Sequence, residues 1–183
     1  MKSAILTLFE GHYHLGAAAL INSLHAAGFT GVVVCGHRGP LPPWAAATEG
    51  VAPIEVRFEA IETPVHFANY KPAFMRGWWA EHPDDADTVY YSDPDIVVKA
   101  PWSTLEDWAM GGVALCEDLN AHLPARHPYR IAWLDFLARK NIPVQRSLER
   151  YYNSGFIGVP RAQAGFLDDW QRVLDLAAEE LGP

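Results

Sequence analysis

The stretch Val89-Tyr90-Tyr91-Ser92-Asp93-Pro94-Asp95-Ile96-Val97-Val98 constrains this chain more than any other. It reads as a hydrophobic strand that ends in two carboxylates one residue apart. Side chains alternate along an extended chain, so Asp93 and Asp95 can point the same way. Pro94 between them has no N–H for a sheet ladder, which places a change of direction here. Two acids converging where a buried strand runs out repel each other unless a cation intervenes. A hard divalent ion, Mg²⁺ or Mn²⁺, shared with phosphate oxygens answers that demand, because such ions are held by a carboxylate or two plus substrate phosphates.

The rest of the composition narrows the class. At 183 residues a single domain over 1–183 is the expectation. Half the residues are hydrophobic, which excludes disorder. Fourteen basic residues against 22 acidic ones give a net charge of −8, so a nucleic-acid surface, which needs a basic face, is excluded. An acidic protein that handles phosphates needs a metal to reverse the local field. Cys35 and Cys116 each sit in a β-branched or aliphatic run and read as buried free thiols. The apolar start is too short for a signal peptide and no segment is long enough to span a membrane, so a cytoplasmic protein is expected.

Strand and helix signals alternate along the chain. Strands are predicted at 3–9, 31–36, 53–59, 88–93, 112–117 and 155–159, and helices at 12–27, 72–81, 102–109, 129–140 and 161–181. Pro72 suits the first turn of its helix, with Met75, Trp78 and Trp79 as the buried stripe. Phe166, Trp170, Val173 and Ala177 form the stripe of the last helix, and Trp44 and Trp133 also read as core. This order predicts a three-layer α/β/α sandwich with a mainly parallel, mixed sheet. Ligands in such sheets sit beyond the carboxyl ends of the strands. Three polar loops fall at such ends: Glu10-Gly11-His12-Tyr13, Ser92-Asp93-Pro94-Asp95 and Glu117-Asp118-Leu119-Asn120.

Four features, in order, resemble the glycogenin-like retaining glycosyltransferases of GT-A fold. They are Thr7-Leu8-Phe9-Glu10-Gly11-His12-Tyr13 with Gly16-Ala17-Ala18, then Lys71, then Asp93-Pro94-Asp95, then Tyr152-Asn153-Ser154-Gly155-Phe156. The resemblance implies a nucleoside diphosphate sugar donor, a UDP-sugar by expectation, and metal-assisted transfer with retention. The acceptor is open: a saccharide, a lipid-linked glycan or a protein. Members of the family also carry an Asp-Gln element and a late His that completes the metal shell. Neither occurs within these 183 residues, so binding is better supported than turnover.

Residue by residue, the resemblance implies Asp95 as the main metal ligand, with Asp93 sharing the metal or holding the ribose. It places Thr7, Phe9 and Tyr13 near the base and ribose, and Lys71 and Ser92 with the donor. Asn153, Ser154 and Gly155 would lie against the donor sugar, and Glu117 and Asp118 near the sugar or acceptor. His122 or His127 could replace the late His, whereas His12 and His14 diverge on a helix and are poor joint ligands. No residue presents itself as nucleophile or base, so the catalytic group is unknown. Two other readings compete. One is a catalytically incomplete nucleotide-sugar-binding domain. The other is an aspartyl-phosphate phosphatase, which needs a second acidic pair after a strand, while Asp168-Asp169 fall in a predicted helix.

Overall fold

The computed structural model describes residues 2–50, 52–121, 123–146 and 149–181. The described chain divides into two compact units, Met1–Ala114 with Gly155–Pro183 and Leu115–Ser154. The strands are β1 (Ser3–Glu10), β2 (Val32–Arg38), β3 (Glu55–Ala60), β4 (Thr88–Ser92), β5 (Ala114–Glu117) and β6 (Tyr152–Pro160). The helices are α1 (His14–Ala26), α2 (Phe67–Glu81), α3 (Trp102–Met110), α4 (Pro128–Arg139) and α5 (Gly165–Leu181).

The sheet order is β3-β2-β1-β4-β6-β5. β1 pairs in parallel with β2 and β4, and β2 with β3, whereas β4 pairs antiparallel with β6. The sheet is therefore mixed, as expected, with its parallel part at β3 to β4. β1 and β4 are covered on both faces, so they read as continuous apolar runs without a polar alternation. Residue partners in parallel strands share a face, and Leu6 is opposite Tyr91. That face carries α2, whose Lys71 ammonium lies over the Tyr91 ring. The other face carries α3: Ser3 donates to Glu106, and Tyr90 packs edge-on against Trp102. Helices on both faces of the sheet make three layers, and α5 packs on α2.

The chain runs outward from β1 to β2 and β3, then returns to the other side of β1 with β4. The order reverses between β1 and β4, and their carboxyl ends are left without a crossing helix between them. That gap positions the site.

Several sequence expectations need correction. α2 begins at Phe67, five residues early, so Pro72 lies inside the helix instead of in its first turn. His66 supplies the start, accepting the Ala68 N–H on its ring nitrogen. The bond that Pro72 cannot give to the Ala68 carbonyl is outweighed by burial of Phe74, Met75, Trp78 and Trp79 on the same helix. β6 starts at Tyr152, three residues before the predicted 155. In α5 the fully buried residue is Leu167, while Phe166, Trp170, Val173 and Ala177 are only half-buried. Trp133 is 45% exposed and packs at a tilt against Tyr151 within the smaller unit, so it is no core residue. Trp44 is half-buried and donates its indole N–H to His14. Cys35 is buried as expected, whereas Cys116 is half-buried; both are free thiols. No described helix is long and apolar enough to cross a membrane.

Candidate functional site

A cleft of about 260 Å³ opens at the reversal point, and every residue lining it belongs to the larger unit. The end of β1 contributes Leu8, Phe9 and Glu10, with Tyr13 from the turn that follows. The end of β4 and its turn contribute Tyr91, Asp93, Pro94 and Asp95. The start of α2 contributes His66, Phe67, Ala68 and Lys71.

The floor of the cleft is an ion pair. Lys71 donates to Oδ1 of Asp93 at 2.7 Å, with the Lys71 side chain 6% exposed and that of Asp93 33% exposed. The ammonium also sits 4.7 Å from the centre of the Tyr91 ring, a cation–π contact in a desolvated place. Burial pushes the Tyr91 phenol well above its ordinary pKa, and the Asp93 carboxylate, to which it hydrogen-bonds, adds to the shift. Tyr91 therefore stays neutral and donates. Tyr91 and Asp93 are two residues apart on an extended segment, which brings both to the same face. The Asp93 N–H is held by the Gly155 carbonyl at 2.7 Å, so β6 fixes the start of the acidic turn from behind. Asp95 is exposed at the mouth.

One wall is tied by Arg38 at the end of β2. Its guanidinium pairs with Glu10 at 2.7 Å, donates to the carbonyls of Thr63 and Val65, and lies 4.4 Å over the Phe67 ring. The ends of β1 and β2 and the segment entering α2 are thus joined through one planar cation. A guanidinium suits this because its fork serves several acceptors at once.

Among the residues singled out from sequence, Phe9, Tyr13, Lys71, Asp93 and Asp95 meet in this cleft. Thr7 and Ser92 do not line it. Thr7 is fully buried, with no hydrogen-bond partner for its hydroxyl among the described residues, and the buried Ser92 hydroxyl donates to the Asp93 carbonyl. Their side chains face the protein interior, so they shape the strand ends from within. Gly155 acts here through its carbonyl. Asn153 and Ser154 belong to the smaller unit, as do Glu117 and Asp118. There Glu117 pairs with Arg150 at 2.9 Å, and Asp118 accepts the Asn120 and Ala121 N–H groups, which shapes its own loop. His127 caps α4 by accepting the Tyr129 N–H, and His122 lies outside the described residues. Asp168 and Asp169 are on α5, where Asp168 pairs with Arg76 at the surface, so they form no second acidic pair at a strand end.

Tyr91 and His66 were not singled out as site residues. Alternation from Asp93 points to Tyr91. His66 was hidden by placing the helix start at 72.

Among the described residues no group of three His, Cys, Asp or Glu could cage a metal. Of the carboxylates lining the cleft, Glu10 is tied to Arg38, while Asp93 at the floor and Asp95 at the mouth fit a hard divalent cation that takes its remaining ligands from phosphate and water.

No protein-family model matches the sequence, and no curated protein sequence matches it significantly. Solved structures do match in fold, and they are GT-A-type glycosyltransferases. The galactosyltransferase LgtC, in complex with donor and acceptor sugar analogues, aligns with a TM-score of 0.59 at 18% identity over 96% of this chain. Mouse xyloside xylosyltransferase 1 gives 0.55 at 11% identity over 98%. The glycosyltransferase GlyE of Streptococcus pneumoniae gives 0.58 at 13% identity over 98%. The chain has the GT-A fold. It spans 63% of the LgtC chain, 76% of the xylosyltransferase and 39% of GlyE.

Proposed function

We propose that this protein binds a nucleoside diphosphate sugar, by preference a UDP-sugar, and transfers the sugar to a saccharide, lipid-linked glycan or protein acceptor. The observation that carries the reading is the placement of Asp93, Asp95 and Lys71 in one cleft at the strand-order reversal. The proposal carries the glycogenin-like, retaining character over from the resemblance in sequence. LgtC, which shares the fold, was solved with donor and acceptor analogues, and that supports a two-substrate reading here.

Asp95 and Asp93 would hold Mn²⁺ or Mg²⁺, which when bound supplies Lewis acidity at the phosphoryl oxygens of the leaving nucleotide. Tyr13 is exposed at the cleft and offers a flat ring to a base, and Phe9 lines the same wall. Lys71 balances Asp93 and keeps the acidic turn in place. Asn153, Ser154, Glu117 and Asp118 remain the proposed sugar and acceptor residues.

The test is turnover: release of UDP from a panel of UDP-hexoses in Mn²⁺, with and without added saccharide acceptors. Acceptor-dependent release supports transfer. Tight binding of UDP with no release supports the second reading, a catalytically incomplete nucleotide-sugar-binding domain. Failure to bind any nucleoside diphosphate sugar rejects both.

A further inference from the structure

We infer that His66 is a donor-binding residue of this cleft, and that its ring Nε2–H donates a hydrogen bond to an anionic oxygen of the bound diphosphate. The inference rests on reading the cleft as a nucleoside diphosphate site. His66 is the residue before α2, in extended backbone at φ −60° and ψ 137°, and it lines the cleft together with Asp93 and Asp95.

The chemistry follows from its other nitrogen. Nδ1 accepts the N–H of Ala68 at 3.2 Å. A ring nitrogen that accepts carries no proton, so the neutral imidazole carries its proton on Nε2. Nε2 therefore presents a donor and has no lone pair for a metal. Making it a metal ligand would move the proton to Nδ1 and strip the cap from α2, leaving the Ala68 N–H unpaired. His66 is thus unsuited to complete the metal shell beside Asp93 and Asp95, and suited to an acceptor instead.

The three carboxylates lining the cleft, Glu10, Asp93 and Asp95, repel a phosphate, and the lysine in the lining, Lys71, is already engaged with Asp93. Among the described residues Nε2 of His66 has no partner. It is a ready donor in the lining, beside the first turn of a fifteen-residue helix whose N-terminal end carries partial positive charge. A phosphate oxygen is the acceptor that this combination of neutral donor and helix terminus recognises.

Two substitutions separate contact from capping. Asn is among the best N-cap residues, so His66→Asn keeps the cap while its short amide falls back onto the backbone. His66→Ala loses both. The measurement is calorimetric titration of UDP in Mn²⁺, with the melting temperature of each variant recorded alongside. His66→Asn is expected to melt with the wild type and bind UDP about tenfold more weakly, the loss of one hydrogen bond to a charged group. His66→Ala is expected to weaken UDP by a similar factor and also to melt lower. Wild-type affinity in His66→Asn overturns the inference and leaves the nucleotide site standing. A wild type that binds no UDP removes the site itself, and this inference with it.

Discussion

Gly16, in the first turns of α1, lies directly against the backbone of Pro94. A Cβ at position 16 would overlap the Pro94 carbonyl oxygen, and would sit 3.0 Å from its carbonyl carbon and 3.4 Å from the Cα of Asp95. The partner is backbone in a fixed turn, so no side chain can swing away to make room. The start of α1 and the acidic turn are therefore packed together, and the placement of the Pro94–Asp95 backbone depends on the absence of a side chain on a neighbouring helix.

Gly16→Ala should cost about 1–3 kcal/mol of stability, typical of overpacking, and should weaken UDP binding more than tenfold by shifting Asp95. Gly77→Ala is the control. Gly77 is an exposed residue within α2 with nothing near its Cβ, so it should gain roughly 0.5–1 kcal/mol. Urea melts and UDP titrations of the two variants give the comparison. Equal effects would deny the packing argument.

The Lys71–Asp93 pair should show strong coupling. Lys71→Met leaves a carboxylate at the cleft floor without its counter-charge, which should cost on the order of 2 kcal/mol. That is less than for a fully buried pair, because the Asp93 side chain remains 33% exposed. The double variant Lys71→Met with Asp93→Asn should recover most of the loss. Chemical denaturation of the four proteins in the cycle measures it, and additive losses would show that the pair is incidental.

Alkaline pH should unfold this protein through its buried acids. Burial pushes the Cys35 thiol from 9.0 up to about 12. A folded-state pKa above the unfolded one gives stability that is complete below pH 9.0 and is lost as pH rises toward 12. Between pH 8 and 10.5 the thiol alone should remove about 2 kcal/mol. The raised phenols of Tyr90 and Tyr91 act in the same direction at still higher pH. Urea midpoints for wild type and Cys35→Ala should converge as pH rises, since the variant lacks the thiol that ionises on unfolding. Parallel curves would mean that Cys35 is less shielded than its burial implies.

Asp95 and Asp93 should separate function from stability. Asp95 is exposed, so Asp95→Asn should stay within about 0.5 kcal/mol of wild type. The Asp93 side chain holds Lys71 and Tyr91, so Asp93→Ala should lower the melting temperature as well as binding. Differential scanning fluorimetry without ligand distinguishes them.

Much of this site could be read from residues 89–98. A β-branched and aromatic run followed by alternating acids leaves few options, and the structure places the run as a central strand with both acids at the cleft. The direction of β6 was harder. Its Tyr-Asn-Ser-Gly-Phe pattern marks a strand, but only pairing with β4 shows that it runs antiparallel. The start of α2 was misread because Pro72 is a strong N-terminal signal and His66 a weak one, and the error hid three lining residues at once. The resemblance places Glu117 and Asp118 near the sugar or acceptor, and in the structure Glu117 pairs with Arg150 while Asp118 accepts from its own loop backbone. Such local partners come from tertiary placement, which periodicity does not record.

The central claim is that Asp95 and Asp93 grip a nucleoside diphosphate through a divalent cation. Calorimetric titration of UDP into the wild type and Asp95→Asn, each with Mn²⁺ and with EDTA, tests it most directly. The account predicts binding by the wild type in Mn²⁺, at least tenfold weaker binding in EDTA, and no response to the metal in Asp95→Asn. Equal affinity for UDP in all four titrations would contradict it.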